Sequence, residues 1–223
     1  ADAAAEFTTL PAGFSDDEVV ADLGAPTAIA FLPDGDRLLV ATKSGDLFRA
    51  GLDGEDLADL NAPIAVCDQG ERGLLGVAVD PDFSGASGNI FLYYTHRKAN
   101  GTCVNRVSRF TLGPGNQLGN EQVLIDNIRS PAANHNGGDL QFDKDDLLYV
   151  SVGDGGQDLK SGGKQDDNRN ARRLSLLNGK ILRIARDGSI PAGNPFQGAR
   201  SIRCADNGGI VGKGGKSKKK KRK

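Results

Sequence analysis

The sequence predicts an all-β protein, a β-propeller that forms an incomplete arc of about three to four blades. Three observations predict it. A unit of apolar strand, acidic turn, β-rich strand, loop and further strand recurs, with anchors Asp34, Asp82 and Asp145 about 50 to 60 residues apart. Each unit holds three or four strands of alternating character, which is the size of a propeller blade. No convincing amphipathic helix competes along the 223 residues, of which 31 are glycine.

The first unit runs Thr27–Gly35, Arg37–Thr42 and Asp46–Ala50. The second runs Leu75–Phe83, Asn89–Thr95 and Val104–Leu112. The third runs Gly138–Asp146, Leu147–Val152 and Lys180–Ala185. Each begins apolar, passes a turn rich in Asp, Pro or Gly, and resumes with β-branched and aromatic residues. The polar loop Gln157–Arg173 interrupts the third unit, and a short helix is expected near Asn170–Leu177. One blade cannot bury both faces of its sheet, so blades need neighbours. An open arc is expected to leave apolar sheet exposed on the outer faces of its end blades.

Composition narrows the function classes. No stretch approaches 18 apolar residues, so no transmembrane helix is predicted. The net charge of −1 hides an asymmetry: residues 213–223 hold eight Lys or Arg and no acid, leaving 20 basic against 29 acidic residues elsewhere. The division is a propeller-like region, 1–212, and a basic tail, 213–223. Six consecutive basic residues can bind nucleic acid or anionic lipid, but no aromatics interleave and the body is acidic, so such partners are not expected. Methionine is absent, and Ala1-Asp2-Ala3-Ala4-Ala5 resembles the residue of a small-residue cleavage site, so a secreted or periplasmic protein is expected. Cys67 and Cys103 flank one strand pair and can bridge, which suits export, while Cys204 is left over.

Two motifs carry chemistry. Ala133-Asn134-His135-Asn136-Gly137-Gly138 precedes a strand, turn and strand that end in Gly153-Asp154-Gly155-Gly156. A hairpin of that length returns to its start, so His135 and Asp154 meet at one rim of the sheet. A carboxylate beside an imidazole fixes its tautomer and stabilises the imidazolium, which suits proton abstraction at neutral pH. Gly-Asp-Gly-Gly also reads as an ordinary turn. A calcium site from Asp154, Asp158, Asp166 and Asp167 is conceivable on oxygen chemistry, but the spacing fits no EF-hand. No phosphate-loop motif occurs. His96 reads as a surface-loop residue. Arg72 reads either as an anion contact or as a strand-end Arg set against Glu71 or Asp68. Asn100-Gly101-Thr102 matches a glycosylation acceptor.

The ordered set of motifs resembles the soluble quinoprotein glucose/sorbosone dehydrogenase family, the aldose sugar dehydrogenases. It comprises Glu71–Phe83, Asn134–Gly138, Gly153–Gly156, Asn178–Ile184, Asp187–Pro191 and Gly193–Phe196, and the resemblance covers about residues 7 to 206. It implies a six-bladed propeller that oxidises the anomeric carbon of aldoses to lactones, using pyrroloquinoline quinone (PQQ) and calcium. By resemblance, His135 is the general base, taking the sugar hydroxyl proton while hydride passes to the quinone, and Asp154 orients it. Asn134 stands where the family places a substrate-contacting residue, often aspartate. Arg72 stands where some members carry glutamine near the cofactor. Both departures put the sugar preference in doubt. The family continues beyond Phe196 into further blades that supply most PQQ contacts and the calcium ligands. The expectation is therefore a truncated N-terminal half, inactive alone, with no identifiable cofactor-binding residues and no metal ligands. In the intact domain the partners are a sugar and an electron acceptor. The alternatives are a non-enzymatic propeller used as a binding module and a lactonase-like hydrolase.

Overall fold

A computed structural model describes residues 10–84, 88–156 and 168–195 of the protein. Three antiparallel meanders follow one another along the chain. The first sheet holds β1 (Pro26–Phe31), β2 (Arg37–Thr42), β3 (Leu47–Gly51) and β4 (Ala58–Asp59) in sequential order. The second holds β5 (Leu74–Val79), β6 (Gly88–Arg97), β7 (Cys103–Leu112) and β8 (Leu118–Arg129), also sequential. The third holds β9 (Gly137–Phe142), β10 (Leu148–Val152) and β11 (Lys180–Ile184). β1 and β2 lie against β5, and β5 and β6 lie against β9, so each sheet packs on the next by its first strand.

Two cores result, and the middle sheet contributes to both. Ile90, Leu92 and Tyr94 of β6 join Leu39, Ala41, Leu47 and Leu60 of the first sheet. Phe91 and Tyr93, on the opposite face of the same strand, join Leu140, Leu148, Val150 and Ile184 of the third. Continuous apolar sequence in β6 is what a strand buried on both faces requires. Burying each such side chain contributes roughly 1.5–3 kcal/mol. Phe91 and Phe142 meet edge to face, with ring centroids 5.1 Å apart, across the second core.

The turns use one device repeatedly. Asp34, Asp80 and Asp143 each accept the backbone N–H two residues on, from Asp36, Asp82 and Asp145. These carboxylates satisfy turn donors that no strand can reach. The capping residues of the second and third units are thus Asp80 and Asp143, two positions before the anchors read from sequence. Arg186 follows β11 and crosses to Asp80 at 2.7 Å and to Asp82, clasping the third sheet to the second.

Three local expectations are corrected. The helix expected near Asn170–Leu177 is instead a 3-10 segment at Asn168–Arg172. Leu176 and Leu177 are adjacent and both buried, whereas Leu174 is exposed, so burial here does not follow one helical face. His96 is not a loop residue: it lies in β6, paired with Val104 and bridged to Val66. Strands β4 and β8 went unpredicted. β8 pairs with β7 through three register shifts and carries Asn120 and Asn127 at positive φ, so its alternation is broken. Cys67 and Cys103 form a disulfide, with Cα atoms 6.1 Å apart. Cys204, Asp158, Asp166, Asp167, most of the loop Gln157–Arg173 and the tail 213–223 lie outside the described residues.

Candidate active site

The β9–β10 hairpin brings its ends together as its length requires. Gly137 pairs with Val152, and the ladder extends beyond the strands: Gly153 N–H donates to Asn136 O at 3.2 Å and Gly155 N–H to His135 O at 3.1 Å. His135 and Asp154 therefore stand side by side, with Nδ1 to Oδ1 at 3.0 Å. The His135 side chain is 38% exposed and that of Asp154 18%. A carboxylate only accepts, so the contact places the proton on Nδ1 and leaves Nε2 as the basic nitrogen. Asp154 Oδ1 also accepts Gly156 N–H at 3.0 Å, and Asn170 Nδ2 holds its backbone carbonyl at 3.1 Å. Asp154 is thus held both at its carboxylate and at its main chain.

His135 has φ 55°, and it alone among the described positive-φ non-glycine residues is neither Asn nor Asp. Such a backbone persists only when its surroundings impose it. The loop before β5 does so from one side. Glu71 Oε2 accepts His135 N–H at 2.6 Å, and Glu71 N–H donates to Ala133 O at 2.6 Å. Next to it, Arg72 Nε donates to Ser130 Oγ at 3.0 Å and its Nη2 to the Ser130 carbonyl. Arg72 therefore faces neither Glu71 nor Asp68. Burial pulls its guanidinium below the ordinary arginine value.

The motif glycines are small because backbone meets backbone. A Cβ on Gly153 would fall 1.9 Å from His135 O, and one on Gly76 of β5 would fall 1.9 Å from Gly138 O. A Cβ on Gly156 would fall 2.0 Å from Asn134 Oδ1, so the Asn134 side chain lies across that glycine. The four residues singled out from sequence thus gather at one end of β9 and β10. Sequence reading missed Glu71, Ser130 and the buried Asn136. Glu71 and Asn136 stood inside the quoted motifs without a role, but Ser130 had no sequence signal.

A shallow depression of about 360 Å³ is lined by Gly137, Ser151, Val152, Gly153, Gly179, Lys180 and Ile181. Neither His135 nor Asp154 lines it. Among the described residues no three His, Cys, Asp or Glu gather as metal ligands, and no helix is long and apolar enough to cross a membrane.

The family model of glucose/sorbosone dehydrogenases matches residues 23–205. The chain belongs to the glucose/sorbosone dehydrogenase family. An uncharacterized protein of Synechocystis is 35% identical over 193 residues, covering 80% of this chain and 45% of the relative. The aldose sugar dehydrogenase YliI of Escherichia coli is 31% identical over 202 residues, covering 82% and 48%. The PQQ-bound aldose sugar dehydrogenase of Streptomyces coelicolor superposes with TM-score 0.67 at 30% identity, covering 81% of this chain and 50% of that one. The chain spans about half the length of the curated relatives it matches. The family membership makes the three meanders blades of a β-propeller.

The quinone of the Streptomyces protein carries carboxylates and calls for cations, and a divalent ion calls for clustered oxygen ligands. Near His135, the Arg72 guanidinium is engaged by Ser130, and Lys180 Nζ contacts the carbonyls of Ala171 and Asn178, both at 2.8 Å. The described residues set an imidazole against a carboxylate. Both of these cations are thus held by the protein's own oxygen atoms.

Proposed function

We propose that this chain carries the proton-abstracting part of a PQQ-dependent aldose dehydrogenase site. The supporting observation is the 3.0 Å contact from His135 Nδ1 to Asp154 Oδ1, at the rim of a hairpin built to close there. In this reading Nε2 of His135 takes the proton of the anomeric hydroxyl. Asp154 keeps the ring in the required tautomer and stabilises the imidazolium that forms. Asn134, held against Gly156, contacts the sugar as donor or acceptor and plays no acid role. Arg72 holds the Ser130 backbone and is assigned to the loop rather than to the substrate.

PQQ, the hydride-accepting cofactor in this reading, would be held by residues beyond those described. The arc of residues 1–212 is accordingly proposed to be partial and inactive alone. The disulfide Cys67–Cys103 supports a secreted or periplasmic setting, since such bonds persist in oxidising compartments.

The test has two parts. The 223-residue chain, supplied with PQQ, calcium, an aldose and an electron-accepting dye, is expected to show no oxidation; sustained turnover would overturn the partial-site reading. In the longest protein encoded with this segment, His135→Ala is expected to cost about 10²–10⁴-fold in kcat, the range of general base catalysis. An unchanged kcat would remove His135 from the mechanism.

A further inference from the structure

We infer that Asn136 is a positioning residue for His135, anchoring the left-handed histidine through a buried polar network. The inference rests on the reading of His135 as the base.

Asn136 is 2% exposed and follows the strained residue directly. Its backbone carbonyl receives the Tyr93 hydroxyl at 2.7 Å and Gly153 N–H at 3.2 Å. Its side-chain Oδ1 receives Asn105 Nδ2 at 3.1 Å and Ser130 Oγ at 2.8 Å. Both oxygens thus take two donors, as many as their lone pairs allow. The partners are fixed in turn. Thr95 Oγ1 donates to Asn105 Oδ1 at 2.7 Å, and Arg72 holds Ser130. Thr95 and Asn105 are fully buried and Ser130 nearly so. The network therefore runs from β6 and β7 to the residue beside His135. Burial also pushes the Tyr93 phenol well above its ordinary range, so it stays a donor.

The Nδ2 atom of Asn136 is buried with no hydrogen-bond partner among the described residues. A residue present only to fill space would not carry that cost, and a buried unsatisfied group in a native fold calls for a reason. The reason offered is geometric. The two acceptor oxygens pin residue 136 from both main chain and side chain. Glu71 pins His135 N–H from the other side. Together they fix the backbone from which the imidazole reaches Asp154.

The network is tested by the His135 ring itself. The chain has two histidines, so ¹⁵N spectra of the 223-residue protein contain two imidazoles, which His96→Gln assigns. Wild type is expected to show the neutral ring of His135 protonated at Nδ1. Asn136→Ala is expected to lower the Nδ1-to-Nε2 tautomer ratio by about 3- to 10-fold, the factor carried by a hydrogen bond of ordinary net strength. Phe110→Leu, which loosens the other core, is expected to leave the ratio alone. If Asn136→Ala does not fold, Tyr93→Phe removes only the donor to the Asn136 carbonyl and is expected to act in the same direction. A wild-type ratio in the folded variants, or an equal change in Phe110→Leu, overturns the inference. The readout needs no turnover. Loss of the tautomer in Asn136→Ala, with activity retained in His135→Ala of the longer protein, would sustain the positioning and sink the base.

Discussion

At His135 a histidine occupies a conformation that L-residues avoid, and its neighbours' smallness makes that possible. Gly153 is a clear case, because any side chain there would run into the His135 carbonyl at 1.9 Å. Gly153→Ala is expected to destabilise the chain by about 1–3 kcal/mol, as overpacking does. At this chain length that is several degrees in Tm, at about 2–4 °C per kcal/mol, readable by thermal denaturation. An unchanged Tm would mean the two loops have room to part. The sequence made the glycines legible as turn formers, and the His135–Asp154 pairing followed from hairpin length alone. It did not disclose why the glycines are needed, since Gly76 owes its size to Gly138, 62 positions away on another sheet. Nor did it disclose Ser130, whose importance comes only from meeting Arg72 and Asn136 in space.

At the scale of elements, the strands with unbroken apolar or alternating runs were legible and the irregular ones were not. β2, with its run of branched residues, matches its prediction, whereas β8 spreads its apolar residues across bulges that shift their faces. The turns add a pH dependence. Burial would raise the Asp80 carboxyl, but Asn89, Arg186 and the Asp82 N–H more than offset this and hold it below its ordinary value. A carboxyl depressed in the folded state contributes stability above its unfolded pKa, and the contribution is lost as pH falls through the folded value. Asp126, half-buried beside Arg106, is depressed for the same kind of reason and acts with the same sign. Stability is therefore expected to be level at neutral pH and to decline below about pH 4. Asp80→Asn is expected to lower stability at neutral pH by about 1.5–3 kcal/mol, the worth of hydrogen bonds to a charged group, and to flatten the acid decline. Urea titrations across pH check both, and an equally steep decline in the variant would assign the acid response to other carboxylates. The disulfide acts on the same middle sheet. It spans 36 positions, and its reduction is expected to cost on the order of 4 kcal/mol by loop-closure entropy. Denaturant midpoints with and without reductant measure that loss; coincident midpoints would show that the bridge contributes nothing.

For the molecule as a whole, the alternation of burial along each sheet separates the middle blade from the end ones. Both faces of β6 are buried, but β1 leaves Ile29 58% and Phe31 60% exposed, and β11 leaves Ile181 76% exposed. Ile181 also borders the shallow depression. Among the described residues, a blade face of this kind has the apolar residues of a core without a partner sheet, and such surface promotes association. Within β11 the two faces make opposite predictions. Ile184, 1% exposed and packed in the second core, is expected to cost about 2–5 kcal/mol when cut to alanine. Ile181→Thr is expected to change the stability of the 223-residue chain by no more than about 0.5 kcal/mol, as exposed substitutions do, while reducing its self-association. Denaturant unfolding and sedimentation velocity read the two effects separately. In a longer protein whose next sheet covers this face, the same Ile181→Thr would become a core substitution and lose stability. A large loss in the 223-residue chain itself would mean that the face is already covered, and the open-arc description would then have to be abandoned.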